Sequence, residues 1–103
     1  MIIYSVTVLI KKDVEDHWLK WMKEVHIPDV IKTGYFLDWK LRKLLLPEVS
    51  GEESTYMIEY SLQSLEKYNE YAEKAAPQLQ KEHTQKFSGK FQASRSVYQI
   101  IPK

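Results

Sequence analysis

The chain has no cysteine, only three glycines and four prolines among 103 residues, and almost no excess of charge, with fifteen Lys and Arg against fourteen Asp and Glu. Each shortage excludes something. Without cysteine there is no disulfide framework, no zinc–thiolate site and no thiol nucleophile. Gly34, Gly51 and Gly89 stand far apart, each suited to a turn or a helix end, so no glycine-rich loop cradles a phosphate. A net charge of +1 makes no basic field, and nucleic acid is not an expected partner. The apolar start of the chain is too short to span a bilayer and lacks a basic flank and a small-residue cleavage site. No membrane partner is expected, and the cytoplasm is the expected location. There is no His-Glu-x-x-His motif, no nucleophile elbow, and no metal-ligand spacing between His17 and His26. No metal and no cofactor are expected.

What is present is apolar and aromatic. At 44% apolar and 13% aromatic residues the chain is too hydrophobic for disorder, and its length suits one domain over residues 1–103. Charge is mixed locally. The stretch from Glu52 to Glu73 is acidic and the stretch from Lys86 onward basic, which reads as differently charged solvent faces.

Residues 2–10 alternate as a β-branched strand, with Ile2, Tyr4, Val6, Val8 and Ile10 on one face and Ile3, Ser5, Thr7 and Leu9 on the other. Asp13 is a plausible N-cap for a helix whose apolar stripe is Val14, Trp18, Trp21, Met22 and Val25. Pro28 has no N–H to give, so that helix must kink or restart there, and Gly34 suits its end. Residues 35–46 read as a second strand and residues 55–62 as a third, joined by a turn with Pro47, Ser50 and Gly51. Ser64 can cap a second helix with the stripe Leu65, Tyr68, Ala72, Ala75, Ala76, Leu79 and His83, interrupted at Pro77. Residues 91–101 form the last strand. The order βαββαβ predicts an α+β, ferredoxin-like fold: a four-stranded antiparallel sheet with two helices on one face.

Two helices cover one face of such a sheet. Whichever face they cover, the other keeps large apolar side chains, since even the less apolar face has Ile3 and Leu9 of the first strand and Met57 of the third, and this predicts a homodimer that pairs sheet against sheet.

The segment Trp18-x-x-Trp21-Met22-x-x-x-His26-Ile27-Pro28-Asp29-Val30-x-x-Thr33-Gly34-x-Phe36, with the tail Ala76-Pro77-x-Leu79-x-x-x-His83-x-x-x-Phe87-x-Gly89-Lys90-Phe91, resembles a bacterial family of uncharacterised proteins in the dimeric α+β barrel superfamily. The resemblance covers essentially the whole chain. It implies the dimeric α+β barrel fold and, from the wider superfamily, a ligand cavity between sheet and helices. That superfamily includes cofactor-independent monooxygenases, haem-degrading enzymes, dismutases and mutarotases. None of their catalytic motifs is matched closely enough to carry a residue across.

His26, beside the Pro28 break, and His83, on the second helix's apolar stripe, are the candidate catalytic residues. Each also has a structural reading, as a cap or a satisfied core histidine. At a helix C-terminus the imidazolium form of His26 would be favoured, and His26 lies off the centre of its helix's stripe. Arg95 alternates with Phe91, Ala93 and Val97, so its guanidinium needs a carboxylate or a ligand anion, and Glu59 is a possible mate. Tyr4, Trp18, Trp21, Trp39, Tyr56, Tyr60 and Tyr68 would line a pocket if they converge, or simply pack the core. The expected ligand-binding set is Trp21, His26, Tyr60, His83 and Arg95. Two functions fit: a dimeric barrel binding a small apolar or aromatic molecule, with cofactor-free acid/base chemistry of monooxygenase or isomerase type, or a non-catalytic dimerisation and interaction module. An RNA-recognition sheet is disfavoured, because the third strand, Tyr56-Met57-Ile58-Glu59-Tyr60, lacks the basic-glycine-aromatic signature.

Overall fold

A computed structural model describes residues 1–48 and 51–103. The sheet has the order β2-β3-β1-β4, built from β1 (Ile2–Lys11), β2 (Asp38–Lys43), β3 (Glu53–Leu62) and β4 (Phe91–Gln99). All three pairings are antiparallel. The predicted ferredoxin-like α+β fold is therefore present. Both helical segments lie on the face that carries Tyr4, Val8, Ile10, Tyr56, Ile58, Tyr60 and Leu62, all of them buried. Among the described residues no helix is long and apolar enough to cross a membrane.

The first helical segment departs from a regular helix. A 3-10 turn (Lys12–Val14) leads into α1 (Glu15–Trp21), a π-helical turn (Met22–His26) and α2 (Ile27–Lys32). Asp13 does not cap α1 as expected. It lies inside the 3-10 turn and pairs with Lys90 at 2.7 Å. Pro28 opens α2, and just before it the Ile27 N–H donates to the Met22 carbonyl, five residues back. The wider turn moves the inward face one residue along the chain. Val25, inward at α-helical spacing, is 42% exposed, and His26 takes the inward place. Thr33 then ends α2, and Gly34 turns the chain with φ 85°, a conformation that favours glycine.

The strand expected at 35–46 is shorter. Residues 35–37 approach the sheet as irregular chain, and their alternation is inverted: Phe36 is buried among Tyr4, Tyr60 and Tyr71, while Leu37 is exposed. Past Lys43 the chain leaves the ladder, and Leu45 and Leu46 are largely exposed. Pro47 follows a cis peptide bond. Ser50, an expected turn residue, lies outside the described residues. The second helical segment divides into α3 (Leu65–Lys74) and α4 (Ala76–Lys86), with Pro77 in the first turn of α4. Ser64 caps α3, its Oγ accepting from the Lys67 N–H at 3.2 Å.

A half-buried carboxylate ties the first helical segment to the hairpin. Glu15 accepts from Ser54 Oγ at 2.7 Å and Tyr56 OH at 2.6 Å, with Lys43 Nζ at 3.2 Å. Burial opposes the charge, but these three donors outweigh it and hold the carboxyl below its ordinary pKa.

Candidate functional site

Three elements meet over the middle of the sheet. The π turn brings His26, α4 brings His83, and the inner faces of β1, β3 and β4 bring Tyr4, Tyr60 and Arg95. Together with Tyr71 and Gln80 they line a cavity of about 30 Å³, floored by Val6, Val8, Ile58 and Ala93. A space of this size holds about one water-sized group. The sheet register explains why Arg95 belongs here. It stands opposite Val6 on the helix-covered face.

The same register overturns Glu59 as its mate. Glu59 stands opposite Ser5, on the uncovered face, and pairs with Arg42. Among the described residues no carboxylate forms an ion pair with Arg95, whose charge acts instead on Tyr4, Tyr71 and the two histidines.

The histidine rings lie 5.6 Å apart at 61°. The π turn aligns positions five apart, so Trp21 stacks on His26 at 5.1 Å and 27°. Trp21 reaches the site only in this way. It backs the histidines, 5.8 Å from His83, but does not line the cavity as expected. Trp18, fully buried, donates its indole N–H to His83 Nε2 at 2.9 Å. By contrast, His26 Nδ1 is buried without any hydrogen-bond partner. A buried polar atom of that kind costs stability and calls for an explanation.

Both histidines are neutral. Burial lowers His26 from 6.5 to about 4, with Asp29 and Glu82 opposing the shift and Arg95 assisting it. Burial likewise lowers His83 to about 4, helped by His26 and Arg95. The expectation of an imidazolium at a helix end is thereby reversed for His26: the chain runs on into α2, and the ring lies under cover rather than at a free helix terminus. Burial also raises Tyr4, Tyr60 and Tyr71, so these hydroxyls stay protonated.

The aromatic set expected to converge forms two groups. Tyr4 stacks with Tyr60 and touches Phe36, Tyr68 and Tyr71. Trp18 packs on Tyr56 and His83. Trp39 stands apart at the sheet edge, 38% exposed. Sequence reasoning missed Tyr71 and Gln80. Tyr71 lies three residues after Tyr68, and Gln80 lies four after Ala76 and three before His83 of the stripe, so helical spacing held a signal for both. Among the described residues, no three His, Asp or Glu side chains gather where they could hold a metal.

The site can therefore offer neutral nitrogen donors and acceptors, tyrosine hydroxyls and one cation above an apolar floor. Solved structures share this architecture. An EthD-family protein from Bacillus halodurans superposes with TM-score 0.73 at 13% identity, covering 98% of this chain and 100% of that one. A dimeric ferredoxin-like protein from an uncultured marine organism gives 0.70 at 17%, covering 100% and 97%. A variant of MhuD with two manganese protoporphyrins per active site gives 0.67 at 16%, covering 100% and 97%. At such identities the likeness is one of fold. No curated protein sequence matches the chain. The family model described as Domain of unknown function (DUF4286) matches residues 1–101, and the chain belongs to that family.

Proposed function

We propose that the cavity between the π turn, α4 and the sheet binds a compact, largely apolar or aromatic molecule through one hydroxyl, and that its chemistry is cofactor-free proton transfer. One observation carries this reading: two neutral histidines, one with a buried and unpartnered nitrogen, line a cavity with an arginine that no carboxylate pairs among the described residues. In the proton-transfer step, His26 Nδ1 takes the hydroxyl proton and the bonding pair stays on oxygen, the developing oxyanion lifting His26 above the value of about 4 that burial gives it. Arg95 then faces the oxyanion. The cavity admits the polar head, and the body of the ligand lies toward the exposed Arg95 side chain. A pure interaction module would leave the unpartnered His26 nitrogen without a purpose.

The test uses 4-nitrophenol, whose phenol and phenolate absorb differently, against 4-nitroanisole, which has no proton to give. The nitrophenol is expected to bind at least tenfold tighter, about 1.4 kcal/mol, and to ionise at lower pH when bound. Arg95→Gln should abolish the ionisation shift without unfolding the protein, because the side chain is exposed. Equal binding of the two probes, or a shift that survives Arg95→Gln, contradicts the reading.

A homodimer belongs to the same proposal. The uncovered sheet face carries Ile3, Leu9 and Met57, half-buried, among Ser5, Thr7 and Glu59. A groove at its end is lined by Met1, Ile3, Trp39 and Ile100. A second copy of the chain, face to face, would cover these side chains. Met57→Lys would place like charges near a two-fold axis. Sedimentation is expected to show a dimer for the natural chain and a species near the 12.3 kDa chain mass for the variant. A natural chain that sediments at the monomer mass at micromolar concentration contradicts the dimer.

A further inference from the structure

We propose that Trp18 is a positioning residue that fixes the proton of His83, so that His83 presents a nitrogen donor while His26 supplies the acceptor for a ligand hydroxyl. The inference rests on the cavity being a ligand site. Indole nitrogen can only donate. Its 2.9 Å contact with His83 Nε2 therefore requires a lone pair on that nitrogen, and a neutral imidazole then carries its proton on Nδ1. Nothing in this arrangement is adjustable. Trp18 is fully buried and packs against Tyr56, and the His83 ring is surrounded by Phe87, Trp21 and Phe91.

His26 is set by the opposite circumstance. Its Nδ1 meets no donor or acceptor. A buried bare lone pair is less costly than a buried orphan N–H. The favoured arrangement leaves Nδ1 bare and protonates Nε2. A hydroxyl oxygen has both a proton to give and lone pairs to offer, and the cavity of about 30 Å³ suits one such group. A ligand group that only accepts, such as a ketone or an ether, satisfies His83 alone and leaves His26 unpaired. Selection against an ether thus comes from the bare Nδ1 of His26, while Trp18 keeps an N–H on His83 for the oxygen's lone pair. When the hydroxyl proton passes to His26, the oxyanion keeps the His83 N–H and Arg95 as partners, and no proton need move on His83.

The experiment is a two-bond nitrogen–proton correlation spectrum of the full, uniformly 15N-labelled chain at pH 7, with exposed His17 as internal reference. The expected result is His83 with its proton on Nδ1, in roughly tenfold or greater excess, and His26 with Nδ1 bare. Trp18→Phe should equalise the His83 forms and weaken the ionisation shift of bound 4-nitrophenol, while lowering affinity for 4-nitroanisole, which only accepts from His83, by no more than about twofold. If Trp18→Phe does not fold, His83→Gln stands in, since an amide can accept from the indole and still donate. It should weaken the nitrophenol shift less than His83→Phe, which has neither an acceptor for the indole nor a donor for the ligand. A natural chain with the His83 proton on Nε2, or a Trp18→Phe chain with an unchanged spectrum, overturns the inference and leaves the binding result standing. The expected spectrum with no preference for nitrophenol over nitroanisole instead overturns the binding reading.

Discussion

Taking the protein from pH 7 to pH 4.5 lowers its stability by an amount on the order of 3–5 kcal/mol, a large share of the margin of a small domain. The sign follows from His26 and His83. Each ionises near 6.5 in the unfolded chain and near 4 in the native one. Between those values the unfolded chain binds more protons, so acid favours unfolding, and stability recovers as pH rises through 6.5. The groups acting on the pair are Asp29 and Glu82, which soften the effect, and Arg95, which strengthens it. Glu15 and Asp13, both held below their ordinary values, add acid sensitivity as pH falls through the ordinary carboxylate range and below it, at the acid end of this window and beyond. Urea unfolding at half-unit pH intervals measures the slope. A stability that stays flat from pH 7 to 5 contradicts neutral, buried histidines.

Replacing His83 by phenylalanine is expected to cost about 1–3 kcal/mol at pH 7 even though the ring fills a similar space. The loss comes from the Trp18 indole N–H, left buried with no acceptor. His83→Gln restores an acceptor and should lie within about 1 kcal/mol of the natural protein. The gap between natural and phenylalanine chains should narrow toward pH 5, because the substitution also removes one of the two acid-sensitive groups. Thermal or urea unfolding of the three chains at pH 7 and 5 checks both statements. Equal stability of the phenylalanine and glutamine variants would show that the indole contact contributes nothing.

Much of the fold was legible because the strongest signals were local. Alternation in β1 and β3 sorted the residues into two faces, since a strand side chain has only two directions to point, and the structure shows that the more apolar one lies under the helices. Ser64 and Gly34 marked helix ends by chemistry that holds in isolation. The failures came where geometry departed from a fixed period. Pro28 announced a break, but not that it would be accommodated by a π turn. The change from Val25 to His26 as the inward residue depends on that choice. Phe36 and Leu37 exchanged roles because residues 35–37 lie ahead of the regular strand, where the Leu37 N–H already donates to the Ser61 carbonyl at 2.8 Å but the alternation does not yet hold. Glu59 was taken as the mate of Arg95 because spacing along a strand says nothing about the register between strands. The histidines were found as residue types in suggestive places. Their pairing needed the tertiary structure, which brings positions 57 residues apart in sequence to rings 5.6 Å apart. The Trp18 contact, across 65 residues, is of the same kind.

Binding of a hydroxyl between His26 and His83 is decided by what occupies the cavity they line. A crystal structure of the chain with 4-nitrophenol measures this. The predicted result places the phenolic oxygen within hydrogen-bond distance of the Nδ1 atoms of both histidines, with the Arg95 guanidinium turned toward it. A phenol bound on the uncovered sheet face or elsewhere, with the histidine cavity closed over its side chains, would contradict the account.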